Sequence, residues 1–115
     1  MTLPQLLGAL GLGVFLAAGC GPVEYLSQVS GRAATALAQA QRAGAEKDAP
    51  YEYTAANEYL HKAREEAARS AYQVAIEYGR RAEEMAIKAE SITRERAAHE
   101  RTSATPDIPK SSDKP

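Results

Sequence analysis

From Tyr53 onward the chain places small and apolar residues at steps of three and four: Tyr53, Ala56, Leu60, Ala63, Ala67, Ser70 and Val74. That spacing is one stripe down the side of an α-helix, and nothing in it alternates as a strand would. A second series, Ala71, Ala75, Tyr78, Ala82, Met85, Ala89 and Ile92, repeats the rule with its phase moved by one residue near Ser70. The slip predicts either a stutter in one long helix or a turn between two, and a turn is favoured. A lone helix over 51–98 would leave a mostly alanine stripe in need of a partner chain. An earlier stripe, Tyr25, Leu26, Val29, Ala33, Ala36, Leu37 and Ala40, predicts a first helix from about Pro22 to Gly44–Lys47. Asp48-Ala49-Pro50 breaks it, with Asp48 or Thr54 as the expected cap of the next helix. The fold class expected is therefore all-α, a small antiparallel bundle of about three helices. Trp is absent and Phe15 is the single Phe, so strands have little to build from.

Because the inward positions are mostly Ala, the helix axes should approach closely, with Tyr59, Leu60, Tyr72, Val74, Ile76 and Met85 filling the layers between them. A domain of this size buries about 60% of its unfolded surface, so its stability should be modest. The outward face carries acid-first pairs at four-residue spacing: Glu58 with Lys62, Glu66 with Ser70, Glu77 with Arg81 and Glu84 with Lys88. With 14 Lys plus Arg against 15 Asp plus Glu, interleaved along the chain, no basic block asks for nucleic acid. The basic lean of the last helix, from Arg80, Arg81, Lys88, Arg94, Arg96 and Arg101, is largely cancelled by Glu83, Glu84, Glu90, Glu95 and Glu100.

The amino terminus has a different character. Leu6 to Ala18 is apolar and uncharged, long enough for the core of an export signal and shorter than the roughly 20 residues that cross a bilayer as a helix. It runs into Leu16-Ala17-Ala18-Gly19-Cys20, and Cys20 is the single cysteine of the chain. This segment resembles the lipobox of bacterial lipoproteins: Ala17, Ala18, Gly19 and Cys20. The resemblance implies cleavage between Gly19 and Cys20, acyl chains on the Cys20 sulfur, and a membrane lipid anchor through Cys20. Small residues let a peptidase approach the backbone, and a thiol supplies the nucleophile for a thioether. Gly21, rather than Asp, after the cysteine resembles the outer-membrane sorting pattern, which implies a location in the cell envelope facing the periplasm. The chain then divides into a signal (1–19), a lipid-anchored helical domain (20–101) and a polar tail (102–115) expected to be disordered, with Pro106, Pro109 and Pro115 among Ser, Lys and Asp.

A second resemblance is carried by Ala49-Pro50, Tyr59-Leu60-His61-Lys62-Ala63 and Tyr72-Gln73-Val74-Ala75. These steps are similar to an uncharacterised domain of small alanine-rich envelope lipoproteins of Gram-negative bacteria, over about half of the mature chain. Members often have glycine before the tyrosine that opens the last helix, where this chain has Ser70-Ala71. Tyr72 to Ala82 also resembles the second half of a tetratricopeptide-type helix pair, although one pair is too few for a solenoid.

Motifs with chemistry are sparse. His61 and Glu65 share a helix face, but two ligands do not make a metal site, and His99 lies far along the chain. Glu83 and Glu84 point about 100° apart on a helix and read as surface charges rather than a converging acid–base pair. No cofactor and no catalytic residue is expected. Of the six tyrosines, Tyr25, Tyr51 and Tyr59 are the candidate partner surface, since exposed tyrosines mark interfaces. The function expected is a non-catalytic structural or adaptor lipoprotein that contacts an envelope protein or the cell wall, with homo-oligomerisation possible. Two alternatives are a murein-lipoprotein-like coiled-coil spacer and a metal-binding or enzymatic accessory protein.

Overall fold

The computed structural model describes residues 20–105. The signal segment 1–19 and the tail beyond Thr105 lie outside the described residues. Among these residues there are helices and turns and no strand, so the protein is all-α. The helical segments outnumber the three expected: α1 (Cys20–Tyr25), a π-helical stretch (Leu26–Ala33), α2 (Ala34–Ala43), α3 (Ala45–Asp48), α4 (Pro50–Ala68) and α5 (Tyr72–Ser103).

The first three segments follow one another without a break, because Tyr25, Ala33 and Ala34 all keep right-handed helical angles. Gly31 does not interrupt this rod. The widened π turn, in which the Ala34 N–H reaches the Val29 carbonyl five residues back, brings the neighbours Gln28 and Val29 together onto the buried side. The rod ends at Gly44, whose φ of 93° is left-handed and whose N–H donates to the Ala40 and Gln41 carbonyls. A side chain there would be strained, which is why α2 stops at this residue.

Asp48 and Thr54 do not cap α4 as expected. The cap position is Ala49, non-helical at φ −136° and ψ 58°, with no side-chain cap bond. A residue before proline is steered out of the helical region. This one is also 2% exposed and packed with Ala40, Ala45 and Ala89, where a polar capping side chain has no room. Pro50 takes the first helical position, and the Tyr53 N–H donates to the Ala49 carbonyl at 3.0 Å.

The register slip near Ser70 is a turn. After Arg69 the chain passes through Ser70 at φ 62°, and α5 starts at Tyr72. The Ser70 N–H donates to the Ala67 carbonyl at 2.9 Å and the Ala71 N–H to the Glu66 carbonyl at 2.9 Å. These two bonds form a Schellman closure that satisfies the last carbonyls of α4. Serine occupies the position that usually carries glycine, and a left-handed non-glycine residue costs about 1–2 kcal/mol. Ser70→Gly is therefore expected to stabilise the protein by about 0.5–1 kcal/mol, after the extra freedom that glycine gives the unfolded chain is deducted. Thermal unfolding should show this as a rise of about 3–6 °C, and an unchanged midpoint would mean the turn is not strained.

Three clusters of buried side chains hold the segments together. Val29 and Ala33 meet Leu60, Ala63 and Ala82; Ala36 meets Ala56 and Ala86; Ala40 and Ala45 meet Ala49 and Ala89. Numbers rise together along the first rod and α5 while they fall along α4, which fixes the relative register of the three. Among the described residues Leu60 is the one buried leucine and Val29 the largest side chain that is fully enclosed. The remaining clustered positions are alanine: Ala33, Ala36, Ala40, Ala56, Ala63, Ala82 and Ala89 lie on the expected stripes, whereas Ala45, Ala49 and Ala86 do not.

Several expected inward residues face out. Val74 is 46% exposed and Leu26 58% exposed, and Ser70 is exposed as well. The turn ends the α4 stripe before Ser70 and Val74 could extend it. Beyond Ile92 and Thr93 α5 buries no residue against another described segment, and every residue from Arg94 to Ser103 is exposed. This overhang is about 15 Å of helix. It also carries the helix two residues past the expected boundary at 101. There the Thr102 and Ser103 hydroxyls donate to the Ala98 and His99 carbonyls, both at 3.0 Å.

Candidate functional site

Ala17, Ala18 and Gly19 of the lipobox-like segment lie outside the described residues, whereas Cys20 is the first residue of α1. Its level in the fold follows from contacts one turn onward. The Tyr25 and Tyr72 rings lie 6.0 Å apart, and Arg80 reaches Glu24 at 3.5 Å. Val29 lies against Gly79. Cys20 therefore starts the first rod at the end of the fold where Arg69–Ala71 turns into α5. Val23, 65% exposed, shares this end with Leu26 and Val74.

The three candidate tyrosines are not brought together. Tyr25 is half-buried against the Val29–Leu60 cluster and Tyr72. Tyr59 is half-buried too, its ring stacked on Tyr78 at 6.2 Å, and the Arg81 guanidinium lies 5.9 Å from the Tyr78 centroid. Both fill gaps that an alanine core leaves. Tyr51 stands apart at the opposite end, in the first turn of α4, and is 74% exposed.

Of the expected ion pairs, Glu77 and Arg81 meet at 3.6 Å. Lys62 turns from Glu58 to Glu65 at 3.2 Å and Glu66 at 3.3 Å, while Arg69 takes the other approach to Glu66 at 3.3 Å. The hydrogen bond from Lys62 holds the Glu65 carboxyl below the usual carboxylate range, with the charge of Lys62 adding to it. Lys62 is in turn held above the ordinary lysine value, first by its bond to Glu65 and then by its bond to Glu66. The contribution of Glu65 is present above the normal carboxylate range and lost as pH falls through its lowered value. That of Lys62 is present below the normal lysine value and lost as pH rises through its raised value. Both groups are well exposed, so salt screens the effect. Lys62→Met should let the Glu65 carboxyl titrate at higher pH, read by carboxyl-carbon NMR; an unmoved titration would mean that Lys62 does not face it.

His61 Nε2 lies 3.5 Å from Glu65 Oε1, with both side chains open to solvent. Among the described residues no group of three or more His, Cys, Asp or Glu converges. Glu83, expected as a surface charge, is half-buried and accepts a hydrogen bond at 2.6 Å from the Gln28 amide, which is only 6% exposed. Residues 55 apart in sequence make this bond, so no local pattern announces it.

At the end away from Cys20, the overhang of α5 and the last turns of α2 frame an open groove of about 560 Å³ lined by Gln39, Arg42, Glu90, Thr93, Arg94 and Arg101. Arg94 is engaged there by Glu90, with Nε and Nη2 at 2.8 and 2.6 Å from one oxygen. No helix of the described residues is long and apolar enough to cross a membrane. No protein-family model matches the chain, and neither a curated protein nor a solved structure matches it significantly.

Proposed function

We propose that the chain is an envelope lipoprotein, anchored through acyl chains on Cys20, whose helical domain serves as a non-catalytic structural or adaptor module at the periplasmic face of the outer membrane. The observation that carries this reading is the uncharged apolar run ending in Ala17-Ala18-Gly19-Cys20, which closes on the chain's single cysteine. Two or three acyl chains, at about 0.8 kcal/mol per buried methylene, hold a protein at a bilayer where one chain is marginal. The helices are read as an antiparallel bundle of three rods, 20–43, 50–68 and 72–103, with the short α3 at the corner, that keeps the far end away from the anchor. Tyr51 and the groove at Arg42 and Arg101 belong to that far end and are the surfaces proposed for an envelope protein or the cell wall. A coiled-coil spacer needs one unbroken helix over 51–98, and the turn at Ser70 favours the adaptor instead.

The test is the mass of the amino-terminal peptide of protein purified from native membranes. Loss of residues 1–19 and an acylated Cys20 are expected, and Cys20→Ala should leave the signal attached. An unmodified Cys20 with residues 1–19 still in place would overturn the reading. Crosslinking in cells from a photoreactive residue at position 51 should then yield a discrete adduct with an envelope protein or wall fragment; labelling no stronger than from exposed Glu77 would remove Tyr51 as the contact.

A further inference from the structure

We infer that the Cys20 end of the helical domain docks directly onto the bilayer surface, with Val23, Leu26 and Val74 in contact with lipid, so that the bundle stands on the membrane instead of swinging from a tether. The inference rests on the proposed acylation of Cys20. Three observations then carry it.

First, Cys20 is itself helical, in α1, so no linker separates the anchored residue from the helix that enters the core through Val29 and Ala33. Lipid on that residue holds the first helical turn at headgroup depth. Second, the described side chains that end on this rim include an apolar set left open to solvent. Val23 and Leu26 are 65% and 58% exposed and lie three apart on one helix, hence on one side of it, and Val74 in the first turn of α5 is 46% exposed. Apolar side chains gathered at one end of a small domain mark a contact surface. Just inside this rim the Tyr25 and Tyr72 rings pack against each other, half-buried; tyrosine has an apolar body and a polar tip, which suits the boundary between hydrocarbon and water. Third, charged side chains at this end are paired and the carbonyls of the turn are satisfied. The Schellman bonds of Ser70 and Ala71 satisfy the last carbonyls of α4, Arg80 pairs with Glu24, and Arg69 pairs with Glu66. With the charges matched, the occupant selected is the interfacial zone of a bilayer, through its apolar depth rather than through anionic headgroups.

The experiment uses the absence of tryptophan from the sequence. Val74→Trp, Val23→Trp and, as the distal control, Ala97→Trp are each made in the full chain and purified in acylated form, with the amino-terminal mass recorded. They are then placed in phosphatidylcholine vesicles with and without brominated acyl chains. Position 97 lies about 35 Å along α5 from position 74. Blue-shifted emission and strong quenching are expected at 74 and 23 and not at 97, independent of salt. If all three emit as exposed tryptophans while Cys20 is acylated, the docking is overturned and the anchor stands. Quenching at 97 equal to that at 74 would overturn end-on docking in favour of a domain lying flat. Should the mass show an unmodified Cys20, the anchor itself fails, and the docking with it.

Discussion

Leu60→Ala is expected to lower the unfolding free energy by about 2–4 kcal/mol, a large share of what a domain of this size possesses. Leu60 is 4% exposed and meets Val29, Ala33, Ala63 and Ala82, so it is the large side chain that joins α4 to both neighbours in one layer. Its surroundings make the loss hard to recover. A cavity left by leucine shrinks when flexible neighbours lean in, yet three of the four buried neighbours are alanines with nothing to extend, which leaves only the half-buried side chains packed against the cluster, Leu37, Tyr59 and Tyr78 among them, to do so. The helices would have to move as bodies, and the clusters at Ala36, Ala56 and Ala86 and at Ala40, Ala45, Ala49 and Ala89 already hold them close. Urea unfolding should show a lower midpoint with an unchanged slope, and the melting temperature should fall by about 10 °C or more. A change below about 1 kcal/mol would mean that the layer around Leu60 is not packed as described.

Gly79→Ala should destabilise despite placing a better helix former inside α5. Alanine in place of glycine within a helix normally gains about 0.5–1 kcal/mol. Here the added Cβ would sit 2.6 Å from Val29 Cγ2 and 3.6 Å from Val29 Cα. Val29 cannot step aside, because it is fully buried and β-branched, with one preferred rotamer in a helix. Overpacking of this kind costs about 1–3 kcal/mol, more than the propensity gain, so a net loss near 1 kcal/mol is expected, with Gly79→Leu worse. The mechanism has a sharper test than the single variant. Removing the opposing methyls with Val29→Ala should convert the same Gly79→Ala substitution into a gain, giving a coupling of about 1–2 kcal/mol in the double-mutant cycle. Simple additivity would show that the first rod and α5 do not touch at this point.

Much of the core was legible because it depends on local periodicity. Ala56, Leu60 and Ala63 on α4, and Ala75, Ala82 and Ala89 on α5, are buried where steps of three and four place them. The alanines of one rod cannot specify which neighbour they meet, however, and the errors share that cause. Val74 continues the α4 stripe numerically but lies beyond the turn, so it faces out. Gly79, Ala86 and Thr93 widen the buried side of α5 because two elements pack on it, the first rod and α4. Asp48 and Thr54 look like caps in isolation, whereas Pro50 at the first helical position puts the cap at Ala49, one residue past Asp48 and five before Thr54. Glu83 reads as a surface charge until the π-helical stretch presents Gln28 to it. Of the candidate site, the lipobox-like segment was visible as a linear pattern, while only the fold shows that Tyr25 and Tyr59 are packed and that Tyr51 stands open.

The sequence by itself determined that the chain is helical, where its helices break, and which alanines line them. Those properties follow from side-chain size, proline sterics and a repeat near 3.6 residues, all set within a few positions of one another. What only the tertiary structure decided is the overhang of α5, the pairing of Gly79 with Val29, the Gln28–Glu83 bond, and the packing of Tyr25 on Tyr72 beside the Ser70 turn. The last three join residues some fifty positions apart. Contacts at that range depend on how alanine-lined rods slide to their closest approach, which a stripe of near-identical small side chains leaves open until all three are in place.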